Sequence, residues 1–377
     1  MKTTVISILD KEFPPSHSFV DGMLSNVLPN KDYQVILIVS KGKSKKNVKK
    51  YFHSACITTL CKRKGLSRFW NFFIVYNIIV KLINKKERVI LFVRNEPVYL
   101  LASSLLRNKV DKLIYQQSFP HERASTNLLK KKVTLTIFSL VKNKVDGIVT
   151  VSPKGLERLK GFFPNSTNNM YIPLLINKKE LISTDELINK NGNDPIHFIY
   201  IGTHASSRRL EVVLEGITNA LSQKVNAVFT FVGGNDQEVN LLRKIAGTEK
   251  YESNGMIQFI EKIPRKQLLE QLRHYDVGLS IIPCNDIYAE SSPTKLVEYM
   301  SHGLMVIGSK GIELQEKFIN NSKGGILINF TNEEIANSII KICANYSFVN
   351  EMKHNALQFA MKELLYENYV EELRKIL

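Results

Sequence analysis

Short, almost continuously apolar runs that alternate with longer helical stretches constrain the fold of this chain most. Such runs, rich in Val and Ile, predict parallel strands that are buried on both faces. In the first half these runs are Thr3–Leu9, Gln34–Val39, Arg88–Val93, Lys112–Gln116 and Gly147–Val151. In the second half they are Ile196–Ile201, Ala227–Val232, Ile257–Ile260, Val277–Ile281, Met305–Ile307 and Gly325–Ile328. The alternation predicts an α/β protein with doubly wound parallel sheets.

The length of 377 residues predicts two or three domains at about 150 residues each. The polar stretch Asn189–Pro195 lies just before a predicted strand and favours a boundary there. We therefore predict two Rossmann-like domains that face a cleft, residues 1–188 and residues 189–355. Apolar residues at helical spacing predict a last helix, residues 356–377, that returns to the first domain.

The composition is that of an ordinary globular protein, with 44% apolar and 23% charged residues, which excludes a disordered or collagen-like chain. The 4 Cys are scattered and form no C-x-x-C pair, so a disulfide scaffold and a zinc ribbon are excluded. The segment Met1–Asp10 lacks the long apolar core of a secretory signal. Together these features predict a cytoplasmic protein.

Positive charge is concentrated in the first half of the chain. Residues 1–180 hold 32 Lys and Arg against 11 Asp and Glu, whereas the remaining residues hold 20 against 24. Such asymmetry indicates a polyanionic partner, which could be nucleic acid, an anionic membrane or a phosphorylated ligand. The six lysines of Lys41–Lys50 fit either a solvated loop or a contact with an anionic surface.

An apolar stretch, Phe69–Ile83, follows the basic cluster Lys62–Arg68. It is shorter than the roughly 20 residues that a membrane span needs. Two interpretations stay open for it: a helix buried against the first sheet, or a helix that lies in a membrane interface.

The segment from Glu290 to Glu298 has the features of a ligand-binding helix start. Ser292 is a good N-cap, Pro293 suits the first helical position, and Gly303 suits the position after the helix, which predicts a helix over Pro293–His302. The N–H groups of Thr294 and Lys295 would form an anion site there. The two glutamates could accept hydrogen bonds from sugar hydroxyls, or each could be a solvated carboxylate.

A second anion-binding feature follows the predicted strand Ile196–Ile201. Small residues and two arginines, Gly202 to Arg209, separate this strand from a helical pattern, which fits a phosphate cradle or an ordinary loop. Gly233 and Gly234 form another strand-to-helix turn, where backbone can approach a ligand. No G-x-G-x-x-G pattern is present, so a dehydrogenase-type dinucleotide site is not supported.

These segments resemble retaining GT-B glycosyltransferases of family 4, the glycosyl transferases group 1, of the bacterial surface-polysaccharide type. The resemblance lies in the blocks GTHASSRRLEVVL, FVGG, YDVG and ESSPTKLVEYMSHG, with VDGIVTVS in the first half. The Gly-rich turn that many members have after their first strand is replaced here by Phe13–His17. Contacts from that loop are therefore not implied.

The resemblance implies a role for each matched position. Glu290 would hold hydroxyls of the donor sugar, and Glu298 would hold the ribose. Arg208 and Lys295 would neutralise the diphosphate, with Arg209 as an alternative to Arg208. The further residues implied in donor binding are Gly202, Thr203, Gly233, Gly234, Ile263 within Glu261–Pro264 at the base, Ser292 and Thr294. His121 matches a His near the sugar, although a lone His is often structural.

The implied activity is transfer of a hexose from a UDP- or GDP-sugar to a lipid-linked glycan acceptor, with retention of configuration. No D-x-D pair is present to hold a metal, so the prediction is a reaction with no cofactor, in which side-chain cations stabilise the leaving diphosphate. The basic half would place the enzyme on the cytoplasmic face of the inner membrane, as a peripheral protein.

Three alternatives stay open. A sugar-nucleotide epimerase shares the two-domain fold but needs no membrane-facing basic domain. A nucleic-acid-binding protein would fit the charge, but the single Trp lies in an apolar stretch and no recognition motif is visible, so we predict no nucleic-acid partner. A non-catalytic scaffold of the same fold is the third.

Overall fold

The fold is given by a computed structural model. It describes residues 2–15, 17–41, 48–60, 67–83, 87–192, 194–245 and 247–377, with the side chains of 67–69 left undescribed. The chain divides into two compact units. The first consists of Met1–Asn177, Glu290–Ser292 and Tyr366–Leu377, and the second of Lys178–Ala289 and Pro293–Leu365.

The first unit is built on an eight-stranded sheet in the order β3-β4-β2-β1-β5-β6-β7-β8. Its strands are β1 Thr3–Glu12, β2 Tyr33–Ser40, β3 Val48–Tyr51, β4 Ser54–Leu60, β5 Arg88–Arg94, β6 Lys112–Gln117, β7 Gly147–Thr150 and β8 Asn168–Tyr171. The helices are α1 Ser67–Leu82, α2 Pro97–Ser104, α3 His121–Ala124, α4 Leu128–Val141 and α5 Pro153–Phe162, with a π-helix at Val20–Val27. Only the β3–β4 pair of these described strands is antiparallel. The strand order reverses between β1 and β5, which is where doubly wound sheets bind ligands.

The second unit is built on a parallel six-stranded sheet in the order β11-β10-β9-β12-β13-β14. Its strands are β9 Ile196–Ile201, β10 Ala227–Val232, β11 Ile257–Ile260, β12 Val277–Ser280, β13 Met305–Ser309 and β14 Gly325–Ile328. Its helices are α6 Leu210–Ser222, α7 Asp236–Arg243, α8 Thr248–Ser253, α9 Arg265–Leu272, α10 Thr294–Ser301, α11 Glu313–Ser322, α12 Asn332–Cys343 and α13 Tyr346–Glu363. A last helix, α14 Val370–Ile376, belongs to the first unit.

Every strand that the apolar runs predict is present, with ends that differ by three residues at most. The sequence did not reveal β3, β4 and β8. Residues of β4 alternate between buried and half-buried positions, so their apolar content is interrupted. The strands β3 and β8 lie at the two edges of the sheet and contain polar residues. A continuous apolar run marks a strand buried on both faces, and such a run is absent from these three.

The units divide after Asn177 and not after residue 188 as predicted. The reason is that residues at the predicted boundary form hydrogen bonds with α13 of the second unit. The buried Lys353 donates to the carbonyl of Ile188 at 2.6 Å, and the Lys190 N–H donates to Asn350 at 2.9 Å. The polar stretch that begins at Asn189 therefore lies inside the second unit.

The predicted last helix over 356–377 is wrong in its extent. Helix α13 ends at Glu363 in the second unit, and the chain joins the first unit at Tyr366. The fully buried Tyr366 donates its N–H to Ile176 at 3.0 Å, and its hydroxyl lies 2.7 Å from Ser18. The ring of Tyr366 therefore fixes the crossing point, which helical periodicity cannot indicate.

Helix α1 combines features of both interpretations of Phe69–Ile83. One face, with Asn71, Val75 and Ile79, is buried in the first unit. The other face leaves Trp70 and Phe73 exposed by 67% and 59%. None of the helices in the described ranges is long and apolar enough to cross a membrane. The lysines between positions 42 and 47 and the basic residues 62–64 lie outside the described residues.

Candidate active site

The predicted donor-binding residues of the second unit follow neighbouring strands. Gly202 and Arg208 follow β9, Gly233 follows β10, Ile263 follows β11, and Lys295 comes after β12. These four strands are adjacent and parallel, so the loops after them share the carboxyl edge of one sheet. Ligands of doubly wound sheets bind at this edge. The topology therefore places these residues where a nucleotide could contact several of them.

Glu298 is the centre of a buried ion-pair cluster in the second unit. It is only 1% exposed, and its carboxylate accepts hydrogen bonds from Lys295 Nζ at 2.6 Å and from Arg265 Nε at 2.8 Å. Arg265 also pairs with Glu180. Burial alone would raise the pKa of Glu298, but the two cations outweigh it and hold the pKa below its usual range. Glu298 is therefore an ionised acceptor.

Helix α10 orients this cluster, with a start that differs from the prediction. Pro293 occupies the N-cap position, where no side chain caps the helix, and Gly303 adopts a φ of +70° after its end. The hydroxyl of Ser292 instead accepts a hydrogen bond from the Leu174 N–H at 2.7 Å, within the first unit. The predicted cap by Ser292 is therefore wrong. Uncapped first-turn N–H groups at Thr294 and Lys295 suit an anion.

Packing against the loop after β9 explains why two glycines follow β10. Gly233 has a φ of +119°, and a Cβ there would lie 2.1 Å from the carbonyl oxygen of Gly202. Gly234 has a φ of +77°, and a Cβ there would lie 2.3 Å from the ring of His204. Side chains are therefore excluded at Gly233 and Gly234. The turn after β10 therefore packs closely against the turn after β9, beside the exposed Thr203.

The two arginines after β9 have different surroundings. The guanidinium of Arg208 stacks over the ring of Tyr288, 4.8 Å from its centre, and the Tyr288 hydroxyl lies 3.4 Å from Ser207. Tyr288 precedes α10, so this contact brings the Arg208 loop to the loop that leads to Lys295. Arg209 pairs instead with Glu211 at 3.3 Å, and both side chains are exposed. The geometry favours Arg208 over Arg209 for a shared site with Lys295.

The sequence did not indicate two further residues at this edge. Arg265, the first residue of α9, holds Glu298, and only the structure reveals this long-range pair. His204 is buried against Tyr200 and Phe231, and neither ring nitrogen has a hydrogen-bond partner in the described part of the chain. Burial lowers the pKa of His204, which keeps the ring neutral. The His204 ring therefore packs beside Gly234 with both of its nitrogens buried.

Glu290 lies in the first unit, apart from the residues above in the division of the chain. It is buried, and its carboxylate accepts hydrogen bonds from Arg123 at 2.8 Å and Arg158 at 2.7 Å. Ser152, the N-cap of α5, donates to the Glu290 carbonyl at 2.7 Å. Arg158 also contacts Glu122. Glu290 is thus held by two cations, as Glu298 is, but the cations come from a different unit.

His121 begins α3, the short helix that also carries Arg123, the partner of Glu290. Its ring makes an edge contact with Phe119, with centroids 5.3 Å apart. The role of His121 near the sugar stays a prediction, and the structure places the residue two positions before Arg123. Among the described residues, no group of three or more His, Cys, Asp or Glu is arranged to hold a metal ion.

Residues 183–359 match the family of glycosyl transferases group 1. This match falls almost entirely in the second unit. An uncharacterized glycosyltransferase of Methanocaldococcus jannaschii is 25% identical over 329 residues, which cover 82% of this chain and 78% of the relative. The similarity of this segment to glycosyl transferases group 1, together with this relative, supports a glycosyltransferase function.

Solved structures agree with the fold. Sucrose-phosphate synthase of Thermosynechococcus elongatus has a TM-score of 0.72 at 15% identity, with 100% of this chain and 98% of that chain covered. Anabaena HepE, whose structure contains UDP, has a TM-score of 0.67 at 12% identity, with 100% and 99% covered. The predicted two-domain α/β fold of the GT-B class is confirmed.

Proposed function

We propose that this chain is a retaining glycosyltransferase that moves a hexose from a UDP- or GDP-sugar to a lipid-linked glycan in bacterial surface-polysaccharide synthesis. The Glu298 cluster is the observation that carries the proposal. A buried carboxylate, kept ionised by Lys295 and Arg265, lies on α10 behind the carboxyl edge of a nucleotide-binding type of sheet. An ionised acceptor at that edge fits the vicinal hydroxyls of a ribose.

In this mechanism the second unit binds the nucleotide. Glu298 accepts hydrogen bonds from the ribose, and the segment around Ile263 contacts the base. Arg208, Lys295 and the first-turn N–H groups of α10 neutralise the diphosphate as the C–O bond to the sugar breaks and negative charge builds on the leaving group. These cations belong to the chain itself, which supports a reaction that proceeds without a metal.

The remaining donor contacts follow from the same arrangement. Backbone at Gly202, Thr203, Gly233 and Gly234 is assigned to the phosphates, because the glycines let the two turns pack closely at this edge of the sheet. Thr294 adds a helix-start N–H. Ser292 is engaged with Leu174, so we assign it to positioning of the α10 start. Arg209 is the alternative to Arg208 only if its pair with Glu211 opens.

Glu290 and His121 are proposed to lie beside the donor sugar. The Glu290 carboxylate, oriented by Arg123 and Arg158, would accept hydrogen bonds from hydroxyls of the donor hexose. His121, on the same short helix as Arg123, would lie near the reacting sugar. We propose retention through attack on the same face as the departing diphosphate.

The acceptor side is proposed to face an anionic membrane, on the cytoplasmic side of the inner membrane. The excess positive charge of residues 1–180 supports this, and helix α4 adds a structural reason. Leu128 and Leu129 are exposed by 81% and 71%, next to the exposed residues Lys130–Lys132. Apolar side chains among lysines on one helix fit the boundary of an anionic bilayer.

A panel of nucleotide sugars tests the function. The protein is incubated with each of UDP-glucose, UDP-galactose, UDP-N-acetylglucosamine and GDP-mannose, and slow release of nucleotide is followed. We expect hydrolysis of one donor, and its loss in Glu298→Ala. An epimerase would convert UDP-N-acetylglucosamine without transferring it, and a scaffold would bind nucleotide without releasing it.

A further inference from the structure

A buried arginine without an acidic partner lies at the ligand-binding edge of the first sheet. Arg94 is the last residue of β5, and in the sheet it is opposite Leu9 of β1 and Gln116 of β6. The strand order reverses between β1 and β5, so Arg94 lies at the switch point where doubly wound sheets bind ligands. Its side chain is only 2% exposed.

All the hydrogen bonds of Arg94 go to neutral groups. Nε donates to Gln116 Oε1 at 2.7 Å, and Nη2 donates to Ser118 Oγ at 3.1 Å and to a ring nitrogen of His17 at 2.8 Å. Burial and the Arg94 charge lower the pKa of His17 to about 2, so the ring stays neutral. Within the described ranges, Arg94 forms no salt bridge, and no hydrogen bond uses its Nη1.

A second unsatisfied donor lies beside the guanidinium. Gln116 is fully buried, and its Nε2 has no hydrogen-bond partner among the described residues. The Gln116 Oε1 accepts from Arg94, so the Nε2 on the same carbon lies within a few ångströms of the guanidinium. A buried cation and a buried amide donor, both lacking an acceptor, are costly in the absence of an anion.

The carboxylate of Asp21 acts electrostatically on Arg94, but both of its oxygens already accept hydrogen bonds from other residues. Burial lowers the pKa of Arg94 to about 10, and the charges of Tyr366 and Asp21 oppose this shift. The two carboxylate oxygens of Asp21 accept hydrogen bonds from the Tyr51 hydroxyl at 2.7 Å and from the His17 N–H at 3.1 Å. The protein thus surrounds Arg94 with neutral donors and acceptors and leaves its charge to be matched from outside.

We propose that Arg94 and Gln116 bind a phosphoryl group of the acceptor at this switch point. The guanidinium offers Nη1 and the amide offers Nε2, so each of two adjacent strands supplies one unused donor for a tetrahedral anion. Ser118 and His17 orient the guanidinium. The inference rests on the proposed function only in calling the bound molecule an acceptor. The phosphoryl group could belong to a lipid diphosphate or to a soluble sugar phosphate.

The test supplies Arg94 with a carboxylate from the protein itself, in place of a bound anion. Gln116→Glu places a carboxylate against Arg94, and Arg94→Met removes the cation. Asn143→Asp is the control, because Asn143 is exposed in the same unit and the variant has the same charge as Gln116→Glu. Inorganic phosphate, geranyl diphosphate and glucose 6-phosphate are titrated by calorimetry, with and without saturating UDP.

We expect at least one probe to bind the wild type and Asn143→Asp equally, and to bind Gln116→Glu and Arg94→Met at least tenfold more weakly, with UDP affinity unchanged. Tighter binding of geranyl diphosphate assigns a lipid source, and tighter binding of glucose 6-phosphate assigns a soluble one. Should Arg94→Met fail to fold, Gln116→Glu alone decides.

Equal binding of every probe to the wild type and Gln116→Glu, or no binding to the wild type, overturns the inference. If UDP bound neither the wild type nor the variants, the proposed function would be overturned instead. The two results are separate because the comparison of wild type with Gln116→Glu does not depend on UDP.

Discussion

Glu290 and Glu298 come from one short segment, and each is buried between two cations, but those cations are supplied in different ways. Of the two cations at Glu298, Lys295 is on the same helix, three residues before it, and Arg265 is 33 positions before it. Arg123 and Arg158 come from distant parts of the first unit, 167 and 132 positions before Glu290. A local pair is visible in sequence, whereas a remote pair exists only in the fold. One short segment therefore supplies a buried carboxylate to each of the two units.

The largest effect is expected at the buried cation of the Glu290 cluster. Arg158→Met leaves Glu122 and Glu290 without their shared partner, and loss of one member of a buried pair costs about 3–5 kcal/mol of unfolding free energy. Arg123→Met is the matched control, because Arg123 is 48% exposed and its pair with Glu290 contributes about 1 kcal/mol or less. Denaturant unfolding measures both. Equal losses would show that Glu290 is not held mainly by Arg158.

The second prediction concerns the diphosphate cations of the second unit. Arg208→Ala or Lys295→Ala should lower turnover about a hundredfold or more, as loss of one preorganised oxyanion donor does. Arg209→Ala is the control, and it should keep nearly full turnover because Arg209 pairs with Glu211 at the surface. Steady-state turnover with the donor found above measures all three variants.

The same assay tests the absence of a metal requirement. Activity should survive EDTA, because side-chain cations supply the positive charge. If EDTA abolished activity and Mn²⁺ restored it, the assignment of charge stabilisation to Arg208 and Lys295 would be wrong. Full turnover in both alanine variants would also contradict it.

The sequence predicted the strands because buried parallel strands are apolar along their whole length. It also predicted the Arg208 and Lys295 loops, since strand-to-helix turns with glycine, serine and basic residues have a local pattern. It could not predict that Arg265 pairs with Glu298 or that Arg158 pairs with Glu290. Nor could it predict that Arg94 is buried without a salt bridge in the described part of the chain. Each of these depends on which strand ends are neighbours, and a sequence read along one chain does not contain that information.

The third prediction tests the ribose role of Glu298. Glu298→Ala should weaken binding of UDP by roughly 1.5–3 kcal/mol, the scale of a charge-assisted hydrogen bond. Glu270→Ala, an exposed acid on α9, is the control and should bind normally. Calorimetry with UDP and with the nucleotide sugar measures both. Unchanged affinity with a small loss of stability would make Glu298 a structural residue.

The fourth prediction concerns pH. Lys295 and Arg265 outweigh burial and lower the folded pKa of Glu298, whereas the unfolded value is about 4.3. A depressed folded pKa contributes stability above the unfolded pKa and loses it as the pH falls through the folded pKa. The stability advantage of the wild type over Glu298→Gln should therefore be constant near neutral pH and shrink below about pH 4. A constant difference down to pH 3 would contradict the lowered pKa.

The smallest effect is expected on membrane binding, and this prediction tests which of the two units contacts the membrane. Lys131→Gln on α4 should weaken binding to anionic liposomes by about 1 kcal/mol, or roughly fivefold. Lys266→Gln, an exposed lysine of the second unit, is the matched control and should bind as the wild type does. Flotation with anionic liposomes at low and high salt measures both variants, because added salt screens this attraction. If the wild type bound neutral and anionic liposomes equally, charge would not drive association, and the exposed Leu128 and Leu129 would have to account for it. If it preferred nucleic acid at physiological salt, the polyanionic partner indicated by the first half would be a different one.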